Sequence, residues 1–144
     1  MKVLSFNPQL CDGTHECEVT CASTWFKTHD AGKSSIRITN VEGVFNARFC
    51  IQCGECISVC PVDALYRDKQ GIVRVRARLC IGCMSCVGFC PHDAMYFDEV
   101  RALPFKCVAC GQCVDTCPSD ALKIIEVEQT PTTDVWHGKG WKLQ

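Results

Sequence analysis

Long apolar runs are missing from this 144-residue chain. No stretch approaches the roughly 20 apolar residues of a membrane-spanning helix, and Met1–Pro8 has no apolar core of a secretory signal. Charge of one sign is missing too: 15 Lys and Arg stand against 16 Asp and Glu, a formal −1. That balance argues against a nucleic-acid partner. Hydrocarbon is also scarce, because the 47% hydrophobic content counts 15 cysteines. Without them the core is thin, and small cores are usually compensated by disulfides or metal. Cysteines two apart in repeated runs pair awkwardly as disulfides, and an odd total leaves one thiol over. The expectation is a cytoplasmic protein in a reducing, oxygen-poor setting.

What is present is sulfur in a fixed pattern. Three runs repeat it: Cys50-x2-Cys53-x2-Cys56-x3-Cys60-Pro61, Cys80-x2-Cys83-x2-Cys86-x3-Cys90-Pro91 and Cys107-x2-Cys110-x2-Cys113-x3-Cys117-Pro118. Structural zinc sites place two Cys-x2-Cys pairs a dozen or more residues apart, often with histidine. The spacing here is tighter and thiolate-only, that of a bacterial ferredoxin run in which three thiolates hold one cubane and the fourth ligates another. The chemistry implied is electron carriage, with no bond-making catalysis and no catalytic residue.

Each complete run leads into Pro-x-Asp-Ala, at Pro61–Ala64, Pro91–Ala94 and Pro118–Ala121. Proline fixes φ, and the Asp carboxylate is expected to accept backbone N–H groups and start a turn. Ile72–Arg78 alternates as a strand, and Asp68–Gly71 before it reads as a hairpin turn. Ser34–Ile38 resembles the strand that ferredoxin-type iron-sulfur subunits place after their first run. Short strands and single helical turns around paired clusters give an α+β, ferredoxin-like fold.

The N-terminal run breaks the pattern. Aligned on the others, it has Cys11, Cys17 and Cys21 at the first, third and fourth positions and Thr14 at the second. Three correctly spaced thiolates still imply an occupied site. Either it holds a [3Fe-4S] centre on three protein sulfurs, or Asp12, Thr14 oxygen, His15 or a water completes a [4Fe-4S] cube. For His15 alone, a solvent-facing role is the simpler reading.

The four runs together, over residues 1 to 127, resemble the four-cluster iron-sulfur subunits of molybdenum and tungsten oxidoreductases, formate dehydrogenases, hydrogenases and carbon monoxide dehydrogenases. The resemblance is greatest to the small polyferredoxin partner of tungsten aldehyde oxidoreductases. It implies two nested two-cluster modules in one domain, 1-128: an inner module, 46-99, and an outer one, 1-45 with 100-128. By that scheme Cys50, Cys53, Cys56 and Cys90 hold one inner [4Fe-4S] cube, and Cys80, Cys83, Cys86 and Cys60 the other. Cys107, Cys110, Cys113 and Cys21 hold an outer cube, while Cys11, Cys17 and Cys117 hold the fourth cluster. It further implies a catalytic subunit carrying a Mo or W pterin as partner, and ferredoxin, a flavin subunit or a stacked copy of this chain at the other end. A freestanding polyferredoxin and a redox sensor are the other classes to weigh.

Four-thiolate cubes and a three-thiolate [3Fe-4S] centre each carry −2, so a loaded chain would sit near about −9. Arg74, Arg76 and Arg78, with Lys69 and Arg67 nearby, then form either a solvated face or a docking stripe for an acidic surface. Ala31-Gly32-Lys33-Ser34 lacks the upstream glycine of a phosphate loop and reads as an ordinary loop. Trp25-Phe26 is expected to exclude water beside a cluster. The tail, 129-144, carries Trp136 and Trp141 and is expected to contact another subunit.

Overall fold

The computed structural model describes residues 1–128; the expected subunit-contact tail lies outside them. Eight short strands and four helices alternate: β1 (Lys2–Phe6), α1 (Glu16–Phe26), β2 (Arg37–Val41), β3 (Val44–Arg48), α2 (Glu55–Val59), β4 (Leu65–Arg67), β5 (Val73–Val75), α3 (Ser85–Gly88), β6 (Tyr96–Asp98), β7 (Leu103–Phe105), α4 (Gln112–Thr116) and β8 (Leu122–Glu126). The fold is α+β. Its strands make four separate antiparallel pairs, β1–β8, β2–β3, β4–β5 and β6–β7. A lone two-stranded ribbon is marginal in water, so none of these sheets supplies a core by itself.

The pair β1–β8 joins the two ends of the described chain, with Val3 opposite Ile125 and Leu4 opposite Ile124. The Met1 ammonium donates to the Val127 carbonyl at 2.6 Å, and the Val127 amide donates back to the Met1 carbonyl at 2.9 Å. Helix α1 packs on α4, and α2 packs on α3. Cysteine is part of the packing in both places. One buried cluster combines Leu4, Ile36, Ile38, Phe49, Ile51 and Leu122 with Cys17, Cys53 and Cys113. The other combines Leu65, Val73 and Met95 with Cys56 and Cys86.

The hairpin at Asp68–Gly71 forms as the sequence suggests. Asp68 Oδ1 accepts from the Gln70 and Ile72 amides, both at 2.9 Å. Gly71 has φ +84°, and a Cβ there would lie 2.1 Å from the Cβ of Met1, so the site demands glycine for conformation and for space. Two strand expectations need correction. β5 ends at Val75, not Arg78, because the Leu79 and Cys80 amides both turn back to the Arg76 carbonyl, at 3.0 and 3.2 Å. That turn brings Cys80 round. β2 begins only at Arg37, because the Ser35 amide donates to the Cys21 sulfur at 3.3 Å and the Ile36 amide to the Ser34 hydroxyl at 3.2 Å.

Two of the arginines after the hairpin, Arg74 and Arg76, are engaged within the chain. Arg74 Nε donates to Asp68 Oδ2 at 3.0 Å, and Arg76 lies over the Tyr66 ring at 4.1 Å. Ala31–Lys33 is a single 3-10 turn capped by the Asp30 carboxylate, the ordinary loop expected of it.

Leu4 is 1% exposed at the centre of the larger buried cluster. Leu4→Ala is expected to destabilise the loaded protein by about 3 kcal/mol, seen as a lower urea midpoint for bleaching of its visible absorption.

Candidate metal centres

Two left-handed residues shape each cysteine loop. They stand two and four positions after the first cysteine: Gly13 and His15, Gln52 and Gly54, Gly82 and Met84, Ala109 and Gly111. A helix starts directly after the second of them and carries the third cysteine in its first turn, which buries Cys17, Cys56, Cys86 and Cys113. The N-terminal run keeps this backbone despite Thr14. Its loop is as well formed as the other three.

The turn after each Cys-Pro works differently from the sequence expectation. Asp63, Asp93 and Asp120 take left-handed conformations, with φ of 52°, 48° and 55°. This reversal aims the next amide at sulfur: Ala64 N donates to Cys60 Sγ at 3.2 Å, and Ala94 N to Cys90 Sγ at 3.4 Å. Asp is one of the few side chains that tolerates that region. At Cys117 burial pushes the thiol up, but hydrogen bonds from the Ser119 hydroxyl and from the Ser119, Ala121 and Leu122 amides outweigh it, and the net direction is down. Gln52 N and Ala109 N similarly face Cys50 and Cys107 sulfurs, at 3.3 and 3.4 Å.

The fifteen cysteines are all free thiols, gathered in four groups. One cavity is walled by Cys60, Cys80, Cys83 and Cys86 with Leu65 and Val75. A second is walled by Cys21, Cys107, Cys110 and Cys113 with Leu4, Ile36 and Trp25, a tryptophan that lines the cavity but is itself 44% exposed. A third holds Cys11, Cys17 and Cys117 together with Asp12, Thr14 and His15. In the fourth group, Cys53 is pushed up by burial first and then by the charges of Cys50 and Cys90, and Cys56 by burial and Cys50. Charge is felt across neighbouring groups between Cys17 and Cys113, between Cys50 and Cys107, and between Cys56 and Cys86.

This donor set fits an iron-sulfur cluster. The walls are apolar, the donors are sulfur, and backbone N–H groups supply the hydrogen bonds that such sulfurs accept. Burial pushes Cys17, Cys56, Cys107 and Cys113 up to about 12 and Cys86 up to about 11. Thiolates in such places need a cation bound to them.

At the Thr14 site, all three candidate side-chain ligands line the cavity of Cys11, Cys17 and Cys117, and His15 and Asp12 each have one polar atom engaged. His15 Nδ1 is 2.6 Å from Glu18 Oε2, and Glu18 Oε1 accepts from the Ile38 amide at 2.8 Å. Asp12 Oδ1 accepts from the Thr14 amide at 3.3 Å. Thr14 itself is exposed at the mouth of the cavity.

A buried polar group went unnoticed in the sequence. Gln52 is 0% exposed and Lys106 is 6% exposed. The Lys106 ammonium donates to Gln52 Oε1 at 2.8 Å and to the Cys107 carbonyl at 3.1 Å, while Gln52 Nε2 donates to the same carbonyl at 2.8 Å. The repeats do carry a signal. Lys106 stands where the other runs have Leu10, Phe49 and Leu79, and Gln52 stands where they have Gly13, Gly82 and Ala109.

Family comparison agrees with the donor set. Models of the 4Fe-4S dicluster domain match residues 44–97 and 10–64, and one of the 4Fe-4S binding domain matches residues 103–123. The chain is a ferredoxin-type iron-sulfur protein, carrying 4Fe-4S domains over all four runs. A relative of known role is the beta subunit of NADH-dependent phenylglyoxylate dehydrogenase from Aromatoleum evansii, 37% identical over 71 residues. The match spans 45% of this chain but 16% of that protein. Among solved structures, the active-site complex BamBC of benzoyl coenzyme A reductase with benzoyl-CoA aligns at 18% identity over 96% of this chain and 88% of that one, with a TM-score of 0.48. The same complex as isolated aligns at 18% identity over 96% and 87%, with a TM-score of 0.49.

The left-handed Asp63 makes a specific demand on side-chain type. Asp63→Gly is expected to keep wild-type iron content, whereas Asp63→Ile, which forces a β-branched residue into that region, should cost about 1–3 kcal/mol. Urea-induced loss of the visible absorption measures both.

Proposed function

We propose that this chain is the non-catalytic relay of an oxidoreductase complex, passing electrons along a row of four iron-sulfur clusters. The observation that carries this reading is the grouping of thiols: each group combines three positions of one run, or two in the N-terminal case, with the last cysteine of another run. That is the exchange of fourth ligands expected of two nested two-cluster modules. In this reading Cys50, Cys53, Cys56 and Cys90 hold one [4Fe-4S] cube, and Cys80, Cys83, Cys86 and Cys60 hold a second. Cys107, Cys110, Cys113 and Cys21 hold a third, and Cys11, Cys17 and Cys117 hold the fourth cluster. The packing of α1 on α4 and α2 on α3, and the pairing of β1 with β8, support the nesting.

Bound clusters supply one-electron carriage; the chain's own groups position and insulate them. Apolar walls keep water out, and the aimed amides hold negative charge on sulfur. Cys83 and Cys110 are the two exposed thiols among the described residues, which makes their groups the points for exchange with partners. The partner favoured is a catalytic subunit of the tungsten aldehyde oxidoreductase type, with ferredoxin, a flavin subunit or another copy of this chain receiving electrons at the other end. The similarity to a beta subunit of a named dehydrogenase supports membership of a complex over a freestanding polyferredoxin.

The fourth cluster is read as three-thiolate. Thr14 stands exposed where the other runs have a thiolate, so the corner left open faces solvent, the arrangement that lets one iron leave and a [3Fe-4S] centre remain; His15 Nε2 or an Asp12 oxygen is the rival fourth donor.

Full-length protein purified without oxygen should contain iron and acid-labile sulfide and take up several electrons while turning over no substrate alone. Zinc in their place would refute the relay. On oxidation the wild type should develop the electron paramagnetic resonance signal of a three-iron centre, and Thr14→Cys should abolish it and retain one more iron per chain. Identical signals in the two proteins would count against the three-thiolate assignment.

A further inference from the structure

The two places where the internal repeat admits an unexpected polar residue meet each other. Lys106 occupies a position that is apolar in the other three runs, and Gln52 a left-handed position that is glycine or alanine in them. A buried glutamine at φ +62° carries backbone strain that Gly would relieve. Its side chain is fully used: Oε1 accepts from Lys106 Nζ at 2.8 Å and from the Val73 amide at 3.0 Å, and Nε2 donates to the Cys107 carbonyl. Gln52 thus fixes the ammonium in place.

The ammonium has no carboxylate for company. The ion pairs among the described residues join other groups, and the oxygens that Lys106 does meet are neutral. Burying a cation in this way is costly unless an opposite charge is near. The negative charge that lies on both sides is thiolate. Lys106 lines the cavity of Cys21, Cys107, Cys110 and Cys113, and its charge is felt at Cys56 and at Cys107, after the larger effect of burial. It therefore stands between the second and third groups of the row, where Cys50 and Cys107 face each other.

Resting on the relay reading above, we infer that Lys106 is a fixed positive charge at the middle link, clamped by Gln52, which raises the reduction potential of the two clusters flanking it relative to the two terminal ones. A cation favours the reduced, more negative state of each neighbour. It also weakens the penalty that an electron on one cluster imposes on the next. Lys106 makes no bond to substrate or cluster in this role; it acts through its charge.

The test is a potentiometric titration of the full-length, cluster-loaded protein followed by electron paramagnetic resonance. Lys106→Met should shift two of the one-electron steps downward, so that at a fixed potential the oxidised-to-reduced ratio of those clusters rises about tenfold, equivalent to 59 mV for one electron. The other steps should move much less. Gln52→Glu, which keeps the lysine but gives it a countercharge, should shift the same two steps in the same direction. Lys106→Arg should stay near wild type. Should Lys106→Met fail to load, Gln52→Glu and Lys106→Arg decide the matter between them. Loaded variants whose steps coincide with the wild type, or whose steps all move alike, would overturn the inference while leaving the relay intact. A wild-type chain that binds no iron and sulfide would overturn the relay reading itself, and this inference with it.

Discussion

Sulfur occupies the space that hydrocarbon fills in other domains of this size, and the rest of the structure depends on it. Four separate two-stranded ribbons cannot each bury a face, and both buried clusters are completed by cysteine side chains. Burial pushes five of those thiols to about 11 or 12, so the thiolate state in place is stable only with a cation bound. Folding and cluster binding are then one equilibrium. The chain ends follow from this: β1 and β8 close over the outer thiol groups, and Leu4 and Leu122 lie in the same buried cluster as Cys17 and Cys113.

One backbone solution is used four times. Two left-handed residues and a helix start carry the first three sulfurs of each complete run, and a left-handed Asp after Cys-Pro turns an amide onto the fourth. In the first run the loop persists where the sulfur does not, since Gly13 and His15 hold the same conformations around Thr14. Loss of one thiolate changes the ligand count without changing the cradle. On the relay reading, that separation would let one centre differ chemically from its neighbours.

Spacing made the class legible. The three Cys-x2-Cys-x2-Cys-x3-Cys-Pro runs, the Thr14 gap and the hairpin at Asp68–Gly71 all rest on local periodicity, and local periodicity is what a sequence displays. The misreadings had nonlocal or backbone causes. Alternation through Arg78 suggested a longer strand, but the strand yields at Val75 to the turn that delivers Cys80. The Asp of each Pro-x-Asp-Ala was expected to act through its carboxylate, whereas its φ is what the turn uses. Between a solvated face and a docking stripe for the arginines the sequence left a choice, and the contacts of Arg74 with Asp68 and of Arg76 with the Tyr66 ring are nonlocal to its pattern. The Gln52–Lys106 contact joins residues 54 apart, and only comparison of the repeats with one another could have hinted at it.

The charges along the row are unevenly placed. At the middle link, Lys106 is buried and Arg67 donates to the Gln52 and Cys53 carbonyls at 2.8 and 3.1 Å, so two cations border the Cys50 group. At one end Thr14 opens to solvent, and at the other Cys83 is exposed beside Ile81, which is 65% exposed. Water screens a terminal cluster's charge from outside and reaches the second group at the exposed Cys110, whereas the Cys50 group has no exposed thiol and depends on protein groups to do so. An internal site without cations would be the least favourable place for an electron and would act as a barrier between the ends. Fixed cations at that link lower the barrier, and because Lys106 is held by an uncharged amide instead of a carboxylate, its full charge remains available to the sulfur on either side.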